Sequence, residues 1–413
     1  VNSDLAPPRP DQHPFRWGVL AGVWLVYFSF GLSLSALAPL VPPISRDLNL
    51  SYGAMGSILG AWPLIYIFVA IPCGALIDRI GLNRALLLAA AIMGVSGILR
   101  SLAVDHVTLF LAVALFGIGG PLISIGAPKA IAQWFHGPER GLAMGIYITG
   151  PSLGGMLSLS LTNSVFMPMM GEDWRAVLLL YAAVPLFGGL VWFLLNRNPT
   201  SRAVDMENRG DGSIAGQVAI FGQLLRIGSV QLVLLMAIGI FFFYHSLASW
   251  LPEILRNGGM AATSAGLWAA APVAVGIVGS LIIPRLATPE RRFPILLGMF
   301  VSAGIGAAFL FSDSLAGVAG AVFFQGLARG SLMTIAILVL MESKGVEPRH
   351  MGAAGGLYFT AAEVGGVAGP VTLGLLFDAS GTFDLGFYVL IGICVALVML
   401  LFMHRSAERA QAG

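Results

Sequence analysis

An arginine in the middle of an apolar run is the first residue of this sequence that demands an explanation. Arg329 stands in Gln325-Gly-Leu-Ala-Arg329-Gly-Ser, with Leu, Val, Ala and Phe on both sides. Glu363 lies at a similar depth in the next apolar run, and His245 closes the aromatic stretch Phe241-Phe-Phe-Tyr-His245. An ionisable group inside a membrane-spanning segment costs at least about 2.5–3.5 kcal/mol, so such groups face a cavity or one another. A guanidinium there can bind the anionic group of a solute, and a carboxyl can take up and release a proton. Histidine titrates near neutral pH and is a second proton relay. Arg329 and Glu363 are also placed to pair, either as a working site or as a permanent structural ion pair. Tyr27, Tyr147, Thr149, Tyr358, Thr360 and Gln325 are expected to offer hydrogen-bonding groups to the solute, and Lys129 to draw anions from the inner vestibule.

Other chemistries find no footing. There is no His, Cys, Asp or Glu cluster with metal-ligand spacing and no phosphate-binding loop, so neither a cofactor nor an enzyme is expected. Gly150-Pro-Ser152-Leu-Gly154 fits the nucleophile-elbow pattern, but that pattern needs a strand, a turn and a helix, and Ser152 sits in an apolar helix. The net charge is only +2 and the cations follow topology, which excludes nucleic acid as a partner. Cys73 and Cys394 both fall in apolar segments, where thiols behave as small buried hydrophobes.

The elements that position these groups follow from composition. Of 413 residues, 57% are hydrophobic and 10% charged, against about 25% charged in soluble domains. The bilayer is therefore the solvent. Apolar runs predict twelve spanning helices near 17–42, 53–78, 84–103, 107–134, 140–165, 174–196, 229–252, 262–284, 292–311, 314–341, 351–377 and 384–404. An even count puts both termini on one side. Arg46, Arg100, Arg175 and Arg256 fall on the opposite side, and every other Lys and Arg except Arg329 falls on the side of the termini. The positive-inside rule then makes both termini cytoplasmic. Residues 1–16 are expected as an inner tail, 17–196 and 229–405 as two bundles, 197–228 as a linker with an interfacial helix from Ile214 to Leu225, and 406–413 as a second tail.

The two bundles repeat one another. Gly145-Ile-Tyr147-Ile-Thr149 with Leu153-Gly154-Gly155 in helix 5 matches Gly356-Leu-Tyr358-Phe-Thr360 with Val364-Gly365-Gly366 in helix 11, at an offset of 211. Pro42 and Arg46 match Pro252 and Arg256, and Gly56 matches Gly266, at an offset of 210. Parallel six-helix repeats of this kind hold substrate near mid-membrane between the halves, while small residues let helices approach closely. The expected fold is thus an all-α membrane protein of twelve transmembrane helices in two pseudo-symmetric six-helix bundles.

Between helices 2 and 3 stands Gly74-Ala-Leu-Ile-Asp78-Arg79-Ile-Gly81-Leu-Asn83-Arg84, which resembles the loop signature of the major facilitator superfamily. Asn83 departs from it, since the family often has a second basic residue there. The resemblance implies an alternating-access carrier in which Gly74, Asp78, Arg79, Gly81 and Arg84 form a breakable cytoplasmic cluster that latches the halves. Pro128-Lys129 through Phe135 and Glu139-Arg140 through Gly145 are similar to branches that include cyanate-carrier-like and organic-anion carriers. Gly150-Pro-Ser-Leu-Gly154-Gly155 looks like the core of an exporter motif, and the aromatic helix 7 supports the same rival reading. The sequence is read as a monomeric carrier in a bacterial inner membrane, with lipid, a small organic anion and protons or a counter-solute as partners. An exporter of amphipathic compounds and a non-transporting receptor are the alternatives.

Overall fold

The structure is a computed structural model that describes residues 14–207, 209, 220–343, 346 and 351–410. All regular structure among the described residues is helical. Twelve helices are long and apolar enough to cross a membrane: Arg16–Asp47, Tyr52–Ile80, Leu82–Ser101, His106–Trp134, Glu139–Met169, Trp174–Leu195, Gly228–Asn257, Ala262–Leu286, Arg292–Phe309, Leu315–Glu342, Ala353–Ser380 and Asp384–Arg409. We refer to them as helices 1 to 12. Their positions follow the apolar runs because a spanning backbone must satisfy its own polar groups, and a helix does so within one segment.

The boundaries differ where local chemistry overrides punctuation. Helix 7 continues through Pro252 to Asn257, and the last helical segment continues to Ala410, so the expected C-terminal tail is helical over its described residues. Helix 10 is interrupted: one segment ends at Arg329 and the next begins at Leu332, leaving Gly330 and Ser331 as a turn at mid-span. Helix 5 carries a π-helical turn over Thr162–Phe166. In the linker a helix spans Pro199–Glu207, and only residues 220–225 of the expected interfacial helix lie among the described residues.

Glycines set how closely helices pack, and they do so twice over. A methyl group at Gly154 of helix 5 would lie 2.1 Å from the Phe28 carbonyl oxygen of helix 1, and one at Gly365 of helix 11 would lie 1.9 Å from that of Ile238 in helix 7. Phe28 and Ile238 are themselves 210 apart. Contacts between the halves repeat as well. Gly56 of helix 2 rests on the Pro370 carbonyl of helix 11, and Gly266 of helix 8 on the Leu159 carbonyl of helix 5, with would-be methyl distances of 2.5 and 2.4 Å. Leu159 and Pro370 are 211 apart, so the two seams are the same contact made once in each direction.

Both seams lie toward the end of the molecule away from the termini. There Leu159, Ala270 and Val273 pack together across the halves. Toward the termini, Gly141 and Gly145 of helix 5 and Gly355 of helix 11 have nothing within 4 Å. The halves are closed at one end and splayed at the other.

Candidate solute site between the halves

Helix 7 sorts the buried charges. Successive helical residues point about 100° apart, so Tyr244 and His245 face different neighbours. Tyr244 turns to helix 10, where the Arg329 guanidinium donates to its hydroxyl at 3.2 Å and stacks over its ring, 4.7 Å from the centroid. His245 turns to helix 11, where its Nε2 lies 3.6 Å from Oε2 of Glu363. Arg329 and Glu363 therefore do not form the pair that their depth suggested. Among the described residues no carboxylate lies within ion-pair distance of Arg329, which is half-buried.

The Glu363–His245 pair sits in the seam between the halves. His245 is 6% and Glu363 3% exposed, and the imidazole lies 5.3 Å from the Trp62 ring of helix 2. Glu363 Oε2 has no hydrogen-bond partner among the described residues, and Tyr66 of helix 2 lies within its electrostatic range. Any proton this pair holds is sealed by side chains of the opposite half.

Tyrosines face the arginine from the first half. Tyr27 of helix 1 stacks on Tyr147 of helix 5 at 5.8 Å and an interplanar angle of 10°, and lies within electrostatic range of Tyr66 and Tyr244. Thr149 accepts from Trp24 at 3.0 Å and donates to the Ile146 carbonyl at 2.7 Å, while Thr360 donates to the Gly356 carbonyl. Both expected solute-binding hydroxyls are thus engaged within the protein. Tyr358 is fully buried against Phe241, and its hydroxyl, like Nε2 of Gln325, is buried without a hydrogen-bond partner among the described residues.

Lys129 stands apart from this group. Its ammonium is 2.5 Å from Asp78, tying helix 4 to the inner end of helix 2 within the first half. Gly81 has φ of +87°, and a methyl group there would lie 2.3 Å from Oδ2 of Asp205 in the linker helix. Asp205 accepts from the Asn83 backbone and from Arg209, and the Asn83 amide donates to Ser201. The departure at Asn83 is explained by this docking: an amide there holds the linker. Gly74 is loosely packed, while Arg79 and Arg84 are exposed. In this state the loop signature joins helices 2 and 4 and the linker, and does not bridge the halves.

The lock between the halves lies at the other end, and sequence reasoning missed it. Asp378 of helix 11 accepts from the backbone of Tyr52 at 2.9 Å and of Gly53 at 2.7 Å, capping helix 2 where the helix dipole favours an anion. The Tyr52 hydroxyl donates to Glu253 of helix 7 at 2.6 Å, and its ring stacks on Phe377 at 3.9 Å and on Trp250 at 5.4 Å. Arg256 holds Glu253 from behind. The charges and the aromatic triplet were visible in sequence, but nothing local joins position 52 to 253 and 378. Arg100 also differs from expectation: assigned to an outer loop, it is 3% exposed inside the first bundle, donating to the Ser33 carbonyl and lying over Phe116.

Two paired six-helix halves, a seam at one end, an opening at the other and a guanidinium at mid-span between them define a polytopic solute carrier. The chain belongs to the major facilitator superfamily, whose family model matches residues 23–370. It is a transporter embedded in the membrane, not an enzyme. A sulfoacetate transporter of Cupriavidus necator described as probable is 23% identical, over 90% of this chain and 89% of that protein. A hexuronate transporter of Bacillus subtilis is 24% identical over 88% of each. The fold matches a point mutant of the nucleoside transporter NupG with a TM-score of 0.78, at 12% identity, over 94% of this chain and 99% of that one. These relatives give the cyanate-carrier resemblance of helices 4 and 5 no specific support.

Proposed function

We propose that this carrier moves a small organic anion by alternating access, coupled to a proton or to exchange of a counter-solute. The observation that carries this reading is Arg329: a half-buried guanidinium at mid-span, oriented by a phenol and not neutralised by a carboxylate among the described residues. An uncompensated charge at that depth is costly unless an anion arrives to meet it. The relatives named for sulfoacetate and hexuronate are carriers of organic anions, which favours the same class. Glu363 and His245 are the proton-handling pair, and their burial against Trp62 and Tyr66 links proton exchange to separation of the halves.

Residues 17–196 and 229–405 are the two moving bodies, with 197–228 as their tether. The chain works as a monomer surrounded by lipid in a bacterial inner membrane, with both termini in the cytoplasm, a placement that the distribution of Lys and Arg supports. The splayed end is then the cytoplasmic one. Purified protein in proteoliposomes tests the function: uptake of radiolabelled galacturonate and other carboxylates with and without an inward proton gradient, against empty vesicles. Stabilisation and transport of organic cations alone would replace the anion reading with the exporter. A cysteine at position 202 that reacts with an impermeant reagent in intact cells would reverse the topology.

A further inference from the structure

The reading of Arg329 as an anion anchor can be taken further, to the shape and valence of the anion. Three half-buried groups meet at the centre: Arg329, Tyr244 beneath it, and Tyr27 across the gap on the first half. Valence follows from counting cations. Lys129 is neutralised by Asp78, and Arg100 is enclosed in the first bundle. Among the described residues of the spans, Arg329 is the cation left to meet a solute, so a second carboxylate would enter without a partner.

Shape follows from the walls. A polyhydroxylated solute needs several free donors and acceptors, because each of its hydroxyls loses water on entry. Here the hydroxyl of Thr149 is engaged by Trp24 and the Ile146 carbonyl, that of Thr360 by the Gly356 carbonyl, and that of Tyr66 by Ser124. The surface that remains is mostly π face: Tyr27 continues into Tyr147, and Tyr244 carries the guanidinium on its own ring. A guanidinium held flat over a ring presents its edge to a planar carboxylate lying alongside.

Resting on the proposed function, we infer that the solute is a planar aromatic monocarboxylate, its carboxylate on Arg329 and its ring between Tyr27 of one half and Tyr244 of the other. Such a ligand joins the two halves through its own two faces. Ring stacking then adds to binding what a sugar acid of equal charge lacks, about tenfold in affinity for one good aromatic pair.

The test is ligand titration of the purified full-length protein by thermal unfolding, with 4-hydroxybenzoate, terephthalate and galacturonate as probes. The expected order has 4-hydroxybenzoate binding at least about tenfold tighter than either of the others. Tyr27→Leu should collapse the advantage over galacturonate, while Tyr27→Phe, which keeps the ring, should retain it and so control for a packing defect. Galacturonate or terephthalate binding as tightly as 4-hydroxybenzoate, or a ratio that survives Tyr27→Leu, overturns this assignment and leaves the anion carrier standing. If none of the three stabilises a folded preparation, the anion reading falls and this inference with it.

Discussion

The two halves share a backbone plan and divide the chemistry. Gly120 packs on Tyr66, and Gly330 packs on Gly276, each pair shifted by 210. That register places Gly119 where the second half has Arg329, Ser35 where it has His245, and, at the offset of 211, Ser152 where it has Glu363. The first half supplies rings and a sealed wall, and the second supplies the charges. Packing contacts are retained in both copies because losing either would open a seam, whereas a charge at mid-membrane is costly and is carried once.

Substitutions can break or sharpen that division. The largest effect is expected at Arg329. Arg329→Lys keeps the charge but loses the planar fork, and solute affinity should fall roughly 10- to 100-fold in the thermal-shift titration, with little change in yield. Glu363→Gln is next: solute exchange between loaded vesicles should persist while accumulation driven by a proton gradient is lost, because an amide cannot cycle a proton. Normal gradient-driven accumulation by this variant would remove the carboxyl from coupling. The double replacement Arg329→Gln with Glu363→Gln separates a working site from a structural pair, since recovery of both stability and transport would mean the charges only balanced each other.

Smaller effects test the seam. Asp378→Asn removes a charged cap from helix 2, worth about 1–2 kcal/mol, and should shift the balance of states by roughly tenfold toward opening at that end. A cysteine placed beside Tyr52 should then label faster from that side; an unchanged rate would show that the lock adds nothing. The least effect is expected for Asp78→Asn: its pair with Lys129 is about one-third exposed on each side, so stability should change by less than about 1 kcal/mol. Transport should nonetheless slow if the signature loop latches the halves in the opposite state, and an unchanged uptake rate would confine Asp78 to the first half.

Legibility in the sequence tracked how local each signal was. Spans were read from apolar runs, and Gly56, Gly266, Gly154 and Gly365 from the repeat, because both are properties of contiguous segments. The partners of Arg329 and Glu363 were not, since their choice depends on the rotational phase of a third helix, where one residue's step from Tyr244 to His245 sends the two charges apart. The break at Gly330 was hidden in a run that stays apolar throughout. Tyr52, Glu253 and Asp378 were unreadable for a different reason: their contacts close loops of 201 and 326 residues.

The paired seams also constrain motion. Gly56 on the Pro370 carbonyl and Gly266 on the Leu159 carbonyl are two bearing points, and each is backbone against backbone with no side chain to compress. Two rigid bodies that touch at two points keep one easy degree of freedom, rotation about the line through them. Sliding and twisting would lift at least one point out of contact. The carrier is thereby a rocker with its axle in the membrane plane, and a bulkier residue at either glycine would tilt the axle and leave the lock and the solute site unaltered in composition but out of alignment.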